Sequence, residues 1–191
     1  MTPRLLLDKA SLRRQLLAQR RSLTAAERQQ YSQAIAGHLQ HSPLFQQATT
    51  VLSYWPLGAE PDVRSLLSQP KQWALPRCEN QQLYAHHYES EQLLEKDCAG
   101  VLAPSADSPT VPPDGIDLLI VPAVAVDEEG YRLGYGGGYY DRLRADPAWR
   151  LIPAIAVVYA AQVLPELPRD PWDIPFSALC TENGYLLIGS T

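Results

Sequence analysis

The residues best equipped for chemistry lie between Arg132 and Arg142, in the run RLGYGGGYYDR. Four glycines (Gly134, Gly136, Gly137 and Gly138) fall within five positions, and Tyr139, Tyr140, Asp141 and Arg142 follow at once. Glycine is entropically costly, so this density marks backbone that needs positive φ or must approach a ligand closely. Tyr139 to Leu143 lacks Pro and Gly and can open a helix. A glycine turn feeding a helix presents N–H groups and the helix dipole to an anion. Arg132 and Arg142 flank it with guanidiniums suited to bidentate phosphate contacts.

Asp141 narrows the chemistry. A carboxylate aimed at a polyphosphate is repelled unless a cation sits between them. Mg²⁺ fills that role, held by one or two carboxylates together with phosphate oxygens and water. Asp173, in the proline-rich stretch PELPRDPWDIP, is a second candidate carboxylate. The common phosphate motifs both fail: no GxxxxGK[ST] occurs, and a GxGxxG begun at Gly134 and Gly136 requires glycine where Tyr139 stands. The loop also follows a charged turn, Asp127 to Gly130, where a dinucleotide loop would follow a buried strand. The bland reading is a tight turn in which Asp141 only favours its helix N-terminus. Residue chemistry alone therefore leads to a nucleotide-phosphate site with that alternative open.

The elements that must position this loop can be read from periodicity. Asp8 to Ser22 carries Leu12, Leu16 and Leu17, with Arg13, Arg14, Arg20 and Arg21 on other faces. That is an amphipathic helix whose basic side reads, in the plainest case, as solvated. Thr24 with Glu27 is a capping box opening a second helix to about Leu39. TVLSYW (50–55) reads as a buried strand ended by Pro56. Asp62 can cap a short helix, Trp73 to Pro76 is a short strand, and Leu83 to Tyr88 alternates as a half-exposed strand. Ala103 to Gly115 is a proline-rich loop. Asp117 to Val126 (DLLIVPAVAV) is the most apolar run and reads as one central parallel strand. Ile155 to Tyr159 is another central strand, and Leu179 to Thr181 and Tyr185 to Ile188 are short closing strands. Pro165 to Pro175 is too proline-rich for helix or strand. Strands alternating with helices predict an α/β domain with helices on both faces of a mostly parallel sheet. Ligands in such sheets bind beyond the carboxyl ends of the strands, where Trp55, Arg77, Asp127 and the glycine loop would fall.

Composition excludes several classes. The chain has 191 residues, a net charge of -5 and 46% hydrophobic residues, enough for one full core and opposed to a nucleic-acid footprint. No apolar run is long enough for a membrane span, and the three-leucine run near the start is too short for a secretory leader. Cys78, Cys98 and Cys180 form no CxxC pair and read as small buried hydrophobes in a reducing compartment. His38, His86 and His87 read as surface residues. The cytoplasm is the expected location.

Beyond this the chain carries a resemblance. DLLIVPAVAVDEEGYRLGYGGGYYDR resembles the signature of the 5-formyltetrahydrofolate cyclo-ligase (methenyltetrahydrofolate synthetase) family. Lys9 to Arg13 (KASLR) is similar to the family's N-terminal Lys-x-x-Leu-Arg, and Glu60 sits in a similar acidic turn. Leu75-Pro76-Arg77 resembles its Pro-Arg strand end, and Asp173 in WDIP with Thr181-Glu182 its C-terminal signature. The resemblance implies a single domain over residues 1–191, a Rossmann-like three-layer α/β/α sandwich with a mostly parallel central sheet. It implies ATP- and Mg²⁺-dependent closure of 5-formyltetrahydrofolate to 5,10-methenyltetrahydrofolate, releasing ADP and phosphate through a phosphorylated formyl intermediate.

Site residues follow from the same resemblance. Lys9 and Arg13 are expected on the ATP phosphates, and Arg132, Gly134, Tyr135, Gly136, Gly137, Gly138, Tyr139 and Tyr140 around the nucleotide. Arg132 and Tyr140 are the expected catalytic residues, and Asp141 and Asp173 the Mg²⁺ ligands. Trp55, Glu60 and Tyr140 are expected on the folate, with Arg77 a further phosphate candidate. Tyr135 and Gly137 stand where many relatives carry Arg and Lys, Trp172 replaces a common His, Ser177 a later Asp, and Ala103 a frequent Glu. The expected partners are small molecules, with no nucleic acid or membrane, and the expected state is a monomer. Two rival classes remain: a sugar-phosphate isomerase or acyl-CoA-binding enzyme of similar fold, which ATP consumption separates, and a folate- or nucleotide-binding regulatory module without turnover.

Overall fold

The computed structural model describes residues 8–189. The leucine run before Asp8 lies outside them. Helix α1 (Lys9–Ser22) starts at Asp8, whose carboxylate accepts from the Ala10 and Ser11 amides. Helix α2 (Ala25–His41) opens on the expected capping box of Thr24 and Glu27. A short α3 (Pro43–Gln47) follows at once, capped by Ser42 with proline in its first turn.

Strand β1 (Thr50–Leu52) leads through a 3₁₀ turn at Arg64–Ser68 to β2 (Gln72–Glu79) and β3 (Gln82–Tyr88). β2 is longer than expected because it forms a hairpin with β3. Its tight turn holds Asn80 and Gln81 at positive φ (48° and 65°), which matches the strand twist. Pro76 is tolerated inside β2 because β1 pairs only as far as Ala74, leaving that edge open beyond it. A two-residue ladder of β4 (Glu95–Lys96) and β5 (Leu102–Ala103) was not legible in the sequence. It precedes the proline-rich loop.

The apolar run 117–126 is not one strand. It divides into β6 (Leu118–Pro122) and β7 (Ala125–Asp127). Pro122 has no N–H to continue the ladder. Ala123 N still donates to Val157 O (3.2 Å), on the strand that β6 already pairs with, but Val124 N turns away to Leu133 O (2.8 Å). β7 thereby joins a small sheet with β8 (Arg132–Leu133). Helices α4 (Tyr139–Ala145) and α5 (Pro147–Arg150) precede β9 (Ala154–Val157). β10 (Val163–Leu164) completes the small sheet in the order β10-β7-β8, and β11 (Ala178–Thr181) and β12 (Gly184–Leu187) close the chain.

The main sheet has seven strands in the order β12-β11-β9-β6-β1-β2-β3. Its five inner strands are parallel, and the edges β3 and β12 are antiparallel. Alternate residues face opposite layers. Val51, Leu118, Ile120 and Ile155 pack on Ile35, Leu39 and Phe45 of α2 and α3. Leu52, Leu119, Val121 and Ala154 pack toward Leu143 of α4 and Trp149 of α5. The expected α/β/α sandwich is therefore the observed one. α1 lies apart from these layers, with Leu16 packed on Val124, Ala125 and Leu133 of the small sheet. Two side-chain expectations fail. His86 is buried rather than superficial, with Nδ1 on Ser108 O, and Cys98 is exposed, its Sγ on Cys78 O. Among the described residues no helix is long and apolar enough to cross a membrane.

Candidate active site

A cavity of about 390 Å³ opens at Tyr54 and Trp55, just past the end of β1, which stops at Leu52 and not at Trp55 as expected, and at Pro122, where β6 ends. These are carboxyl ends of parallel strands, the usual ligand position in such sheets. The structure places Lys9, Arg13, Trp55, Glu60, Arg132, Gly134 and Tyr135 on its walls, and also Gly136, Gly137, Gly138, Tyr139, Tyr140, Asp141 and Asp173. Residues far apart in sequence thus meet in one cleft.

The glycine loop forms one wall. Gly136 (φ 102°) and Gly138 (φ 68°) use backbone conformations that disfavour any side chain, and a Cβ on Gly138 would fall 2.7 Å from the Arg142 guanidinium. α1 braces the loop, for Arg13 Nε donates to Gly134 O at 2.6 Å. α4 has only seven residues, and no side chain caps its start. Arg142 does not face the cleft as its flanking position suggested. It donates to Gln81 O (2.7 Å) and Gly137 O (2.9 Å), tying the loop to the β2–β3 turn. Arg77 is likewise spent elsewhere, on Glu79, Glu95 and Pro104 O.

Three ion pairs in two clusters border the cleft. Lys9 Nζ lies 2.6 Å from Asp170 and 2.8 Å from Asp173. Burial opposes the Lys9 charge, but hydrogen bonds and charge attraction from the two aspartates outweigh it and hold its pKa above the usual lysine value. Arg132 pairs with Asp141, and its guanidinium lies 5.2 Å from the Tyr140 ring centre and 5.5 Å from that of Phe176. Arg132 is thereby fixed, with a side chain only 8% exposed, while Asp141 is 50% exposed. Burial pushes the Tyr140 phenol well above its ordinary pKa.

Beneath the loop lies a buried polar chain that periodicity did not suggest. Arg20 is only 2% exposed, although the basic side of its helix reads as solvated in the sequence. Its Nε and Nη2 donate to Gln162 Oε1 at 2.9 and 2.7 Å, and Nη2 also donates to Ala123 O. Nη1 donates to the Tyr135 hydroxyl at 2.9 Å. Tyr135 in turn interacts with Glu60, which is 6% exposed and accepts from Leu57 N at 2.7 Å. Burial raises the Glu60 pKa; Leu57 N–H, Tyr135 and Arg20 pull it back without cancelling the rise. The missed signal was spacing. Lys9, Arg13, Leu16 and Arg20 share one helical stripe, and this stripe faces the site.

Cys78 and Asp97 complete the opposite lip. The Asp97 carboxylate accepts from Cys78 N (2.8 Å), Ala99 N (2.9 Å) and Val101 N (3.0 Å), shaping a loop that borders the cleft. Burial pushes the Cys78 thiol up to about 12, so it is no nucleophile near neutrality.

Among the described residues, no group of three or more His, Cys, Asp or Glu side chains is close enough to form a metal cluster by itself. Mg²⁺ needs less, since it keeps waters and shares phosphate oxygens. Asp141 and Asp173 border the same cleft, and each has one carboxylate oxygen without a hydrogen bond among the described residues. This donor set fits such an ion.

Parallel strands that deliver a buried carboxyl, a glycine loop and clustered cations to one cleft define an α/β small-molecule enzyme. The 5-formyltetrahydrofolate cyclo-ligase family model matches residues 7–182. A 5-formyltetrahydrofolate cyclo-ligase from Escherichia coli (strain K12) is 33% identical over 176 residues, covering 86% of this chain and 94% of the relative. One from Mycolicibacterium smegmatis is 34% identical over 194 residues, covering 95% of each. The solved structure of Aquifex aeolicus 5,10-methenyltetrahydrofolate synthetase is 32% identical with a TM-score of 0.83, covering 97% of this chain and 95% of its own. The chain belongs to the 5-formyltetrahydrofolate cyclo-ligase family and has the ligase function that defines it.

Proposed function

We propose that this cleft uses ATP to close 5-formyltetrahydrofolate to 5,10-methenyltetrahydrofolate, and that residues 1–191 act as one catalytic domain. The observation that carries the reading is the division of the cleft into two chemically distinct ends. One end holds the buried Glu60 and Trp55, which also border a groove of about 840 Å³ beside α2. The other holds Lys9, Arg132, Asp141 and Asp173 beside the glycine loop. A flat, hydrogen-bonding pterin suits the first end and a polyphosphate the second.

In the reaction the formyl oxygen attacks the γ-phosphorus and ADP leaves. The formyl carbon then carries a phosphate ester in place of a poor leaving group. The second folate nitrogen attacks that carbon; the C–O bond breaks, phosphate departs, and the nitrogen's proton is lost to phosphate. Phosphoryl transfer of this kind is mainly positioning and charge stabilisation. Arg132, held by Asp141 and the Tyr140 ring, is placed to meet charge on the transferring group. Lys9 and Arg13 bind the remaining phosphates, with the loop from Gly134 to Tyr139 along the nucleotide. Glu60 accepts a hydrogen bond from the folate, and Trp55 and Tyr140 pack against its ring.

Asp141 and Asp173 would hold Mg²⁺, which supplies charge neutralisation between carboxylates and phosphates. The protein works in the cytoplasm as a monomer on small molecules, without nucleic acid or membrane. The test is the methenyl absorbance band: purified protein with 5-formyltetrahydrofolate and MgATP should develop it, and neither substrate alone should. Binding of both substrates with no spectral change would leave a binding module instead.

A further inference from the structure

Trp172 is the largest side chain left open at the cleft, 68% exposed. A lone exposed apolar residue is ordinary on a protein surface. Its mounting is not. Asp170, Pro171, Trp172 and Asp173 make a turn closed by Asp173 N donating to Asp170 O at 3.0 Å. Asp170 N donates back to the Asp173 carboxylate at 2.8 Å, and Lys9 bridges both carboxylates. Proline at the second position of the turn stiffens it further. The indole is thus held out on a fixed support, and among the described residues no ring or cation stacks on it.

Of the cavities that Trp172 lines, two are large enough to hold a ligand. One is the 390 Å³ cleft, and the other is an adjoining groove of about 630 Å³ along α4 that also shares Gly138, Asp141 and Asp173 with it. A cleft of that volume is at the small end for one ligand. The reaction needs two. A nucleoside triphosphate whose γ-phosphate meets the formyl group inside the cleft must direct its base outward, past the carboxylates at that end. The groove beyond Asp141 and Asp173 is where that path leads.

We propose that the purine base of the nucleotide stacks on the Trp172 indole in this groove. The inference rests on the ATP reading above and adds the base subsite to it. Aromatic stacking of a base is worth roughly five- to 150-fold in affinity. The experiment compares two probes, the magnesium complex of the non-hydrolysable ATP analogue AMPPNP and magnesium tripolyphosphate, which has phosphates but no base. Trp172→Ala should weaken AMPPNP binding about tenfold and leave tripolyphosphate binding unchanged, with Trp172→Phe recovering most of the loss. AMPPNP should also quench the fluorescence of the wild-type protein more than that of Trp172→Ala. AMPPNP affinity unchanged in Trp172→Ala overturns the base subsite. So does an equal loss for both probes, which would mean that Trp172 acts through Asp173. If neither probe binds the wild-type protein, the ATP reading fails and the subsite with it.

Discussion

The Arg20 guanidinium donates to the Tyr135 hydroxyl at 2.9 Å, and this bond joins α1 to the underside of the glycine loop. Arg20 also satisfies Gln162 Oε1 and the Ala123 carbonyl, at the point where β6 gives way to β7. One buried cation therefore holds the loop, the strand break and α1 in register. Arg20→Met would leave these acceptors without a donor in a dry site. The expected cost is about 3 kcal/mol, or about 6–12 °C in Tm, read by thermal or urea unfolding. An unchanged Tm would show that the network contributes nothing to the fold.

Glu60 carries a stability cost that depends on pH. Burial raises its folded-state pKa above the unfolded value, so the unfolded chain ionises it more readily. Stability is then lost as pH rises from the ordinary carboxylate range through the raised value. Glu60→Gln removes this dependence. The Tm of the variant, relative to wild type, should be more favourable at pH 8 than at pH 4, while formyl-folate binding weakens about tenfold through loss of a charged acceptor. A Tm difference identical at both pH values would contradict the buried charge.

Asp141 sits between two roles, partner to Arg132 and candidate Mg²⁺ ligand. Asp141→Asn keeps the shape and removes the charge. Turnover with MgATP should fall about 100-fold while formyl-folate binding is unchanged. Isothermal titration of each substrate alongside kcat separates the two effects. Full activity in this variant would remove Asp141 from the metal assignment.

Lys9 lies in a partly exposed cluster with Asp170 and Asp173, with 25% of its side chain accessible. Pairs of that exposure add little stability. Because its folded-state pKa is raised, what they do add is present through neutral pH and lost only as pH climbs above the ordinary lysine value. Lys9→Met should therefore change Tm at pH 7 by less than about 3 °C. The KM for ATP should rise about tenfold, because a phosphate contact is gone. A large Tm loss with an unchanged KM would make Lys9 structural.

What could be read in the sequence follows from how local the physics is. The capping box at Thr24 and Glu27, the buried parallel strands and the glycine loop all rest on neighbouring residues; the box and the loop appear where expected, and the strands appear with shorter bounds. The break at Pro122 is visible as a proline but not as a change of sheet, because β8, which receives the Val124 amide, lies further along the chain. Arg20 was hidden by its surroundings: in a helix with several arginines, one that turns inward looks like the rest. Arg77 and Arg142 failed the other way. Both stand beside the right motifs, yet their partners, Glu95 and Gln81 O, come from segments whose position only the tertiary fold sets. The short β4–β5 ladder has too few residues for any period.

The central claim is that this cleft activates the formyl oxygen by phosphorylating it. The most direct measurement is the fate of that oxygen. 5-Formyltetrahydrofolate labelled with ¹⁸O in the formyl group should, with MgATP and the protein, give inorganic phosphate carrying one ¹⁸O, seen as an isotope shift in its ³¹P resonance. Methenyl product formed alongside unlabelled phosphate would contradict the account, because the oxygen would then have left without ever being bonded to phosphorus.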